Sequence, residues 1–152
     1  MRNVLPEKYY QKLKTTFGFS DFRDGQSEII NGILGKQNIL AVMPTGSGKS
    51  LCYQFPAICF TNKTIVISPL LALMEDQTSY LRSIGIKATA LSSVNSADDN
   101  YRTLNEFKGS ELKILYVSPE RMMQDGFLKF LSENKIQIDL IVVDEAHCIS
   151  KW

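Results

Sequence analysis

Asn38-Ile39-Leu40-Ala41-Val42-Met43-Pro44-Thr45-Gly46-Ser47-Gly48-Lys49-Ser50 is the stretch on which the reading of this chain turns. The apolar run Asn38–Met43 predicts a buried strand, Pro44 to Gly48 predict a turn, and Gly48–Phe60 carries a helical period. A glycine-bearing turn between a strand and a helix lets successive backbone N–H groups close around an anion. The positive end of the helix dipole reinforces the attraction. Gly46 and Gly48 supply the freedom to curl, and Lys49 brings a point charge to the β- and γ-phosphates of a nucleotide. The Ser50 hydroxyl is the candidate magnesium ligand. Thr45, Gly46, Ser47, Gly48, Lys49 and Ser50 are therefore the candidate phosphate-binding residues, with ATP and Mg2+ as the expected cofactors. The general pattern for such a loop has glycine at the position of Met43, so the bland alternative is a glycine-rich turn with an incidental lysine.

Outward from this stretch, four more short β-branched runs follow: Thr64–Ser68, Lys87–Leu91, Lys113–Ser118 and Asp139–Asp144. Helical periods separate them at Leu71–Ile84, Ser96–Lys108 and Pro119–Glu133, and two helices, 7–15 and 25–34, precede the first run. Gly85 is placed to cap one helix, and Ser96 with Asp99 to cap another. Alternation of this kind, with apolar strands unbroken by polar residues, predicts an α/β fold: a parallel sheet with helices on both faces, preceded by short N-terminal helices.

The last run ends in Asp144-Glu145-Ala146-His147. Carboxylates at the C-terminal end of a parallel strand lie where such sheets bind ligands. Asp144 can hold magnesium, and Glu145 can polarise a water for attack on a γ-phosphate. Alone, an Asp-Glu pair there is often a solvated strand end; together with the Lys49 loop it describes nucleotide hydrolysis. His147, the single histidine, sits beside both carboxylates and is assigned a coupling role.

Length and composition set bounds. The chain has 152 residues, is 44% hydrophobic and 22% charged, and carries a net charge of +1, which gives no basic field for nucleic acid. No apolar run is long enough to cross a bilayer and no secretory leader is evident, so no membrane partner and an intracellular location are expected. Cys52, Cys59 and Cys148 have neither the spacing nor the histidine partners of a zinc site, and read as buried small side chains.

Five segments resemble the RecQ DNA helicases of helicase superfamily 2: FGFSDFRDGQ (17–26), MPTGSGKSLCYQFPA (43–57), SPLLALMEDQ (68–77), YVSPERM (116–122) and DEAHCISKW (144–152). The glycine–lysine loop and DEAH are shared with many helicases, whereas KSLCYQ and DEAHCIS followed by tryptophan are narrower; methionine at 43 is normal in that group. The resemblance implies the first RecA-like domain over residues 1–152, cut after the DEAH motif. It implies 3′-to-5′ translocation on DNA driven by ATP hydrolysis, a second RecA-like domain in cis, and roles in repair and recombination. The compartment would be the cytoplasm or nucleoid of a bacterium, or a nucleus. Phe19 would stack on adenine, with Arg23 and Gln26 contacting the base. Ser68 and Ser118 would meet the DNA backbone, simple helix capping being the alternative for each, and Trp152 would open an aromatic-rich loop. Asp24 stands where the family usually has proline. An RNA helicase, or another nucleotide hydrolase of the superfamily, is the alternative.

Overall fold

The computed structural model describes residues 5–44, 46–92 and 94–151, with side chains as far as Cys148. Thr45 and Trp152, both singled out above, lie outside the described residues. The chain divides into two compact units, Met1–Phe60 and Thr61–Trp152.

The first unit holds three helices: α1 (Glu7–Phe17), α2 (Gln26–Leu34) and α3 (Leu51–Cys59). α1 is stopped by Gly18 in the left-handed region, which returns its N–H to the Lys14 carbonyl. Phe55 of α3 gathers Tyr9, Phe17 and Phe22 in tilted or edge-on contacts at centroid distances of 6.1, 6.4 and 5.2 Å. Phe55 is fully buried.

The strand expected at Asn38–Met43 is absent: the backbone from residue 37 to 44 has no regular structure. Leu40 and Val42 are 84% and 90% exposed. A strand is defined by the ladder its neighbours provide, and no described strand of this unit runs beside the segment. Apolar composition alone does not supply one.

The second unit is a four-stranded parallel sheet of β1 (Lys63–Ile67), β2 (Ala88–Leu91), β3 (Ile114–Val117) and β4 (Ile138–Val143), in spatial order β2-β3-β1-β4. The connections are α4 (Leu71–Ser83), α5 (Ala97–Lys108), and the pair α6 (Pro119–Met122) and α7 (Asp125–Glu133). Passing from β1 to β2 moves one way across the sheet, while β2 to β3 and β3 to β4 move the other way. Right-handed crossovers then place α4 on one face and α5 with α7 on the opposite face. The core agrees: Ile65, Ile67, Leu91, Leu115 and Val117 pack in one cluster with Phe107 of α5 and Phe127 of α7. Helices on both faces are thus realised within this unit. β3 is buried throughout, whereas β4 is a border strand with Ile141 and Val143 55% and 40% exposed.

The single helix expected over Pro119–Glu133 is two. Gln124 is extended (φ −74°, ψ 130°) and breaks it. Met122 and Phe127 both pack on the same cluster. In one continuous helix their spacing would set them about 140° apart, so only a break lets both face inward. Ser96 does cap α5, its Oγ accepting from the Asp99 N–H at 3.1 Å. Gly85, at φ 87°, closes α4: its N–H reaches the Arg82 carbonyl and that of Ile86 the Leu81 carbonyl.

Candidate nucleotide and nucleic-acid sites

In the first unit, Gly46 and Gly48 have φ of 81° and 82°, a region that side chains avoid and the curl requires. α3 starts immediately after Ser50, whose carbonyl accepts from the Gln54 N–H at 2.9 Å. No side-chain oxygen caps this helix end, and Lys49 and Ser50 stand at its N-terminus, where the helix dipole favours an anion. Lys49 is exposed and Ser50 half-buried. Ser47 is turned back on the loop, its hydroxyl and N–H both donating to the Pro44 carbonyl, at 2.5 and 3.2 Å.

Arg23 and Gln26 come to this loop, although they are more than twenty residues away in sequence. Arg23 Nη1 donates to the Gly46 carbonyl at 2.9 Å, and Gln26 Nε2 donates to the Gly48 carbonyl at 2.9 Å. Gln26 Oε1 accepts from the Arg23 N–H at 2.6 Å. Phe19 is 47% exposed, so its ring is not spent in a core.

Phe22 is not among the residues expected at the site. Its ring lies 5.3 Å from Tyr10 and 5.2 Å from Phe55 and so pins the 19–26 segment against α1 and α3. The sequence signal is a lone aromatic residue within the polar stretch Ser20–Asp24. Cys52 is buried under the same loop, its thiol 3.7 Å from Met43 Sδ and 3.9 Å from the Gly48 carbonyl. Burial pushes that thiol up to about 11.

In the second unit all four strands finish in register: Leu91 pairs with Val117, Val117 with Ile67, and Ile67 with Val143. The next residue on each strand forms one row along the carboxyl edge, Ser92, Ser118, Ser68 and Asp144. Asp144 is tied into it by its N–H donating to the Ile67 carbonyl at 2.9 Å, and Ser68 by its N–H donating to the Val117 carbonyl at 2.9 Å. Asp144 is 8% exposed, and its Oδ1 accepts from the Glu145 N–H at 3.0 Å. Glu145 has a φ of 55°, a strained conformation for a side-chain-bearing residue. The following 3₁₀ turn, Ala146–Lys151, brings His147 Nε2 to 3.4 Å from Glu145 Oε2.

The two serines assigned to nucleic acid differ. Ser118 Oγ accepts from the Arg121 N–H at 3.2 Å and caps α6. Ser68 Oγ is buried with no hydrogen-bond partner and stands just before α4. That helix has no side-chain cap and no acid in its first turn.

Among the described residues no three His, Cys, Asp or Glu side chains gather into a cation cage. The Ser50 hydroxyl and the Asp144 carboxylate are each hard oxygen donors, of the kind magnesium takes alongside phosphates and water. No helix of the described residues is long and apolar enough to cross a membrane.

Residues 23–152 match the model of the family described as DEAD/DEAH box helicase. The chain is 48% identical over 140 residues to the ATP-dependent DNA helicase RecQ of Haemophilus influenzae, covering 92% of this chain and 22% of that protein. It is 44% identical over 137 residues to RecQ of Bacillus subtilis, covering 90% and 23%. It is 40% identical over 145 residues to the rat ATP-dependent DNA helicase Q1, covering 92% and 23%. The chain thus spans less than a quarter of the length of these relatives. Among solved structures, the DUF1998 helicase MrfA bound to DNA and AMPPNP superposes with a TM-score of 0.75 at 24% identity, over 94% of this chain and 22% of that one. A hypothetical ATP-dependent RNA helicase from Sulfolobus tokodaii superposes with a TM-score of 0.73 at 21% identity, over 96% and 43%. At those identities the likeness establishes the fold alone.

Proposed function

The chain belongs to the DEAD/DEAH box helicase family, and on that premise we propose that it is the nucleotide-binding part of an ATP-dependent DNA helicase of the RecQ type. The observation that carries this reading is the loop 46–50. Two glycines with positive φ lead into the uncapped start of α3, with Lys49 and Ser50 at its mouth. The geometry suits a triphosphate: backbone amides and the helix dipole attract the chain of oxygens, and Lys49 neutralises the terminal phosphates. Phe19 offers a sequence-tolerant stacking face for adenine. Ser50 in the first unit and Asp144 in the second would each offer magnesium an oxygen, and magnesium when bound would draw charge from the phosphates. Glu145, adjoining Asp144, would accept the proton of the attacking water, and His147 would orient Glu145 through their contact.

The DNA reading draws on the RecQ relatives, with Ser68 and the open N-terminus of α4 as the phosphate-contacting elements. A second RecA-like domain in cis would complete the intact enzyme, and the 152-residue chain alone would bind nucleotide with little turnover and no unwinding. The test is titration of the chain with ATP and magnesium. The chain should bind with a measurable Kd, and Lys49→Ala should weaken it by tenfold or more, on the order expected for losing a charge-assisted contact. Equal affinity in the variant would remove the phosphate-cradle reading.

A further inference from the structure

The Gln26 carboxamide is built between two backbone points. Its oxygen accepts from the Arg23 N–H at 2.6 Å and its nitrogen donates to the Gly48 carbonyl at 2.9 Å, and the residue is only 2% exposed. The Arg23 guanidinium holds the Gly46 carbonyl at 2.9 Å in the same way. These are the two loop positions with positive φ. Glycine backbone is the most costly to order, so a loop of this kind takes one shape only where something outside it holds its peptide planes.

The direction of that hold matters. In a trans peptide the C=O and the following N–H point in opposite directions. Fixing the Gly48 carbonyl toward Gln26 therefore turns the Lys49 N–H to the other side of the loop, where a phosphate oxygen would be received. A carboxamide has two donors and two acceptor sites, so these bonds use half of its capacity. They do not depend on any base being bound.

We infer that Gln26, together with Arg23, is a positioning residue for the phosphate loop, and that its loss weakens binding of phosphate chains that carry no base. The inference rests on the phosphate-loop reading of residues 46–50 and goes beyond a base-contacting role for Gln26. The fold already shows the bracing contact; adenine would use only the unspent half of the amide.

The experiment compares ATP with inorganic tripolyphosphate, each with magnesium, on the 152-residue chain and on Gln26→Ala and Gln26→Glu. Each variant should weaken ATP and tripolyphosphate by the same factor, about tenfold for loss of the bond to the Gly48 carbonyl and more in Gln26→Ala, where the bond to the Arg23 N–H is lost as well. Gln26→Glu keeps an acceptor for the Arg23 N–H but has no donor for the Gly48 carbonyl and adds a negative charge beside the loop, so the deciding result is the one from Gln26→Ala, which adds none. A residue that merely supports the fold would lower the unfolding temperature and leave the tripolyphosphate Kd of the folded chain unchanged, which would overturn the inference. Weaker ATP binding with unchanged tripolyphosphate binding would also overturn it, and would leave Gln26 as a reader of the base. If the unaltered chain bound neither ligand, the phosphate-loop reading would fall and the inference with it.

Discussion

Gln26 Nε2 donates to the Gly48 carbonyl at 2.9 Å, and a Cβ placed on Gly48 would collide with that same nitrogen. Gly48→Ala therefore meets two obstacles at once. A side chain at φ 82° costs about 1–2 kcal/mol, and Gln26 is held at both ends and cannot swing clear. The variant should lose about 2 kcal/mol of stability or more in urea unfolding, with nucleotide affinity falling alongside. Gly32→Ala is the contrast. Its Cβ would stand 2.7 Å from Ile39 Cδ1, but that side chain is 41% exposed and free to turn. The helix-propensity gain of about 1 kcal/mol offsets the adjustment, so stability within about 1 kcal/mol of the parent and unchanged affinity are expected.

Thr64 and Ser68 lie at opposite ends of β1 and both bury a hydroxyl with no partner. Removing an unsatisfied buried hydroxyl relieves a desolvation cost of about 1–3 kcal/mol, less what the lost contacts return. Thr64→Val and Ser68→Ala should therefore each raise stability, by up to about 1 kcal/mol. Only Ser68→Ala should weaken single-stranded DNA binding by the full-length protein, about fivefold in fluorescence anisotropy for one lost hydrogen bond. An unchanged DNA affinity for Ser68→Ala would assign that hydroxyl no nucleic-acid role.

Two helices end with a lysine where glycine is the usual choice. Lys135, at φ 50°, closes α7, its N–H donating to the Ser132 carbonyl and that of Ile136 to the Leu131 carbonyl; Lys36, at φ 62°, closes α2 in the same pattern. Lys135→Gly should relieve about 1–2 kcal/mol of left-handed strain against about 0.5–1 kcal/mol of added chain entropy, a net gain of up to about 1 kcal/mol. Lys36 also lies 4.1 Å over the Phe60 ring. That contact is worth about 0.5–1 kcal/mol, so Lys36→Gly should come out near zero. Thermal unfolding of the two single variants distinguishes them.

Cys52 links stability to pH. Its thiol is raised from an ordinary value of 9.0 to about 11 by burial, so the folded chain holds that proton more tightly than the unfolded one. The contribution is fully present below pH 9 and is lost as pH rises through about 11. Urea midpoints measured at pH 8 and pH 10.5 should fall less in Cys52→Ala than in the parent. At pH 8, thiol alkylation should reach Cys59 and Cys148, which are half-buried, before it reaches Cys52.

Much of the second unit was legible because each of its signals is local. β-branched runs, a glycine after Ile84 and a serine before Ala97 depend on neighbours a few residues away, and the structure honours all of them. The break at Gln124 was not legible, because it follows from where Met122 and Phe127 must point in a core assembled from distant strands. Asn38–Met43 failed for the complementary reason: its composition is that of a strand, but a ladder requires a neighbour that composition cannot provide. At the candidate site, the glycine–lysine loop and the acidic strand end announced themselves by residue type. The bracing of Gly46 and Gly48 by Arg23 and Gln26 did not, since their carbonyl partners are main-chain atoms that leave no mark on the sequence. The register that aligns Ser92, Ser118, Ser68 and Asp144 is equally invisible, being a property of four strands and not of any one.

The border position of β4 bears on how this chain behaves as a colloid. Ile141 and Val143 share the core face of the sheet but are left partly uncovered on its border strand, and Leu40 and Val42 are almost wholly uncovered in the first unit. Open strand borders and bare aliphatic side chains invite neighbours to add on. With a net charge of only +1, long-range repulsion between molecules is weak. Dilute solutions will therefore keep the chain dispersed, and concentrating it will drive association through these surfaces while the fold itself stays intact.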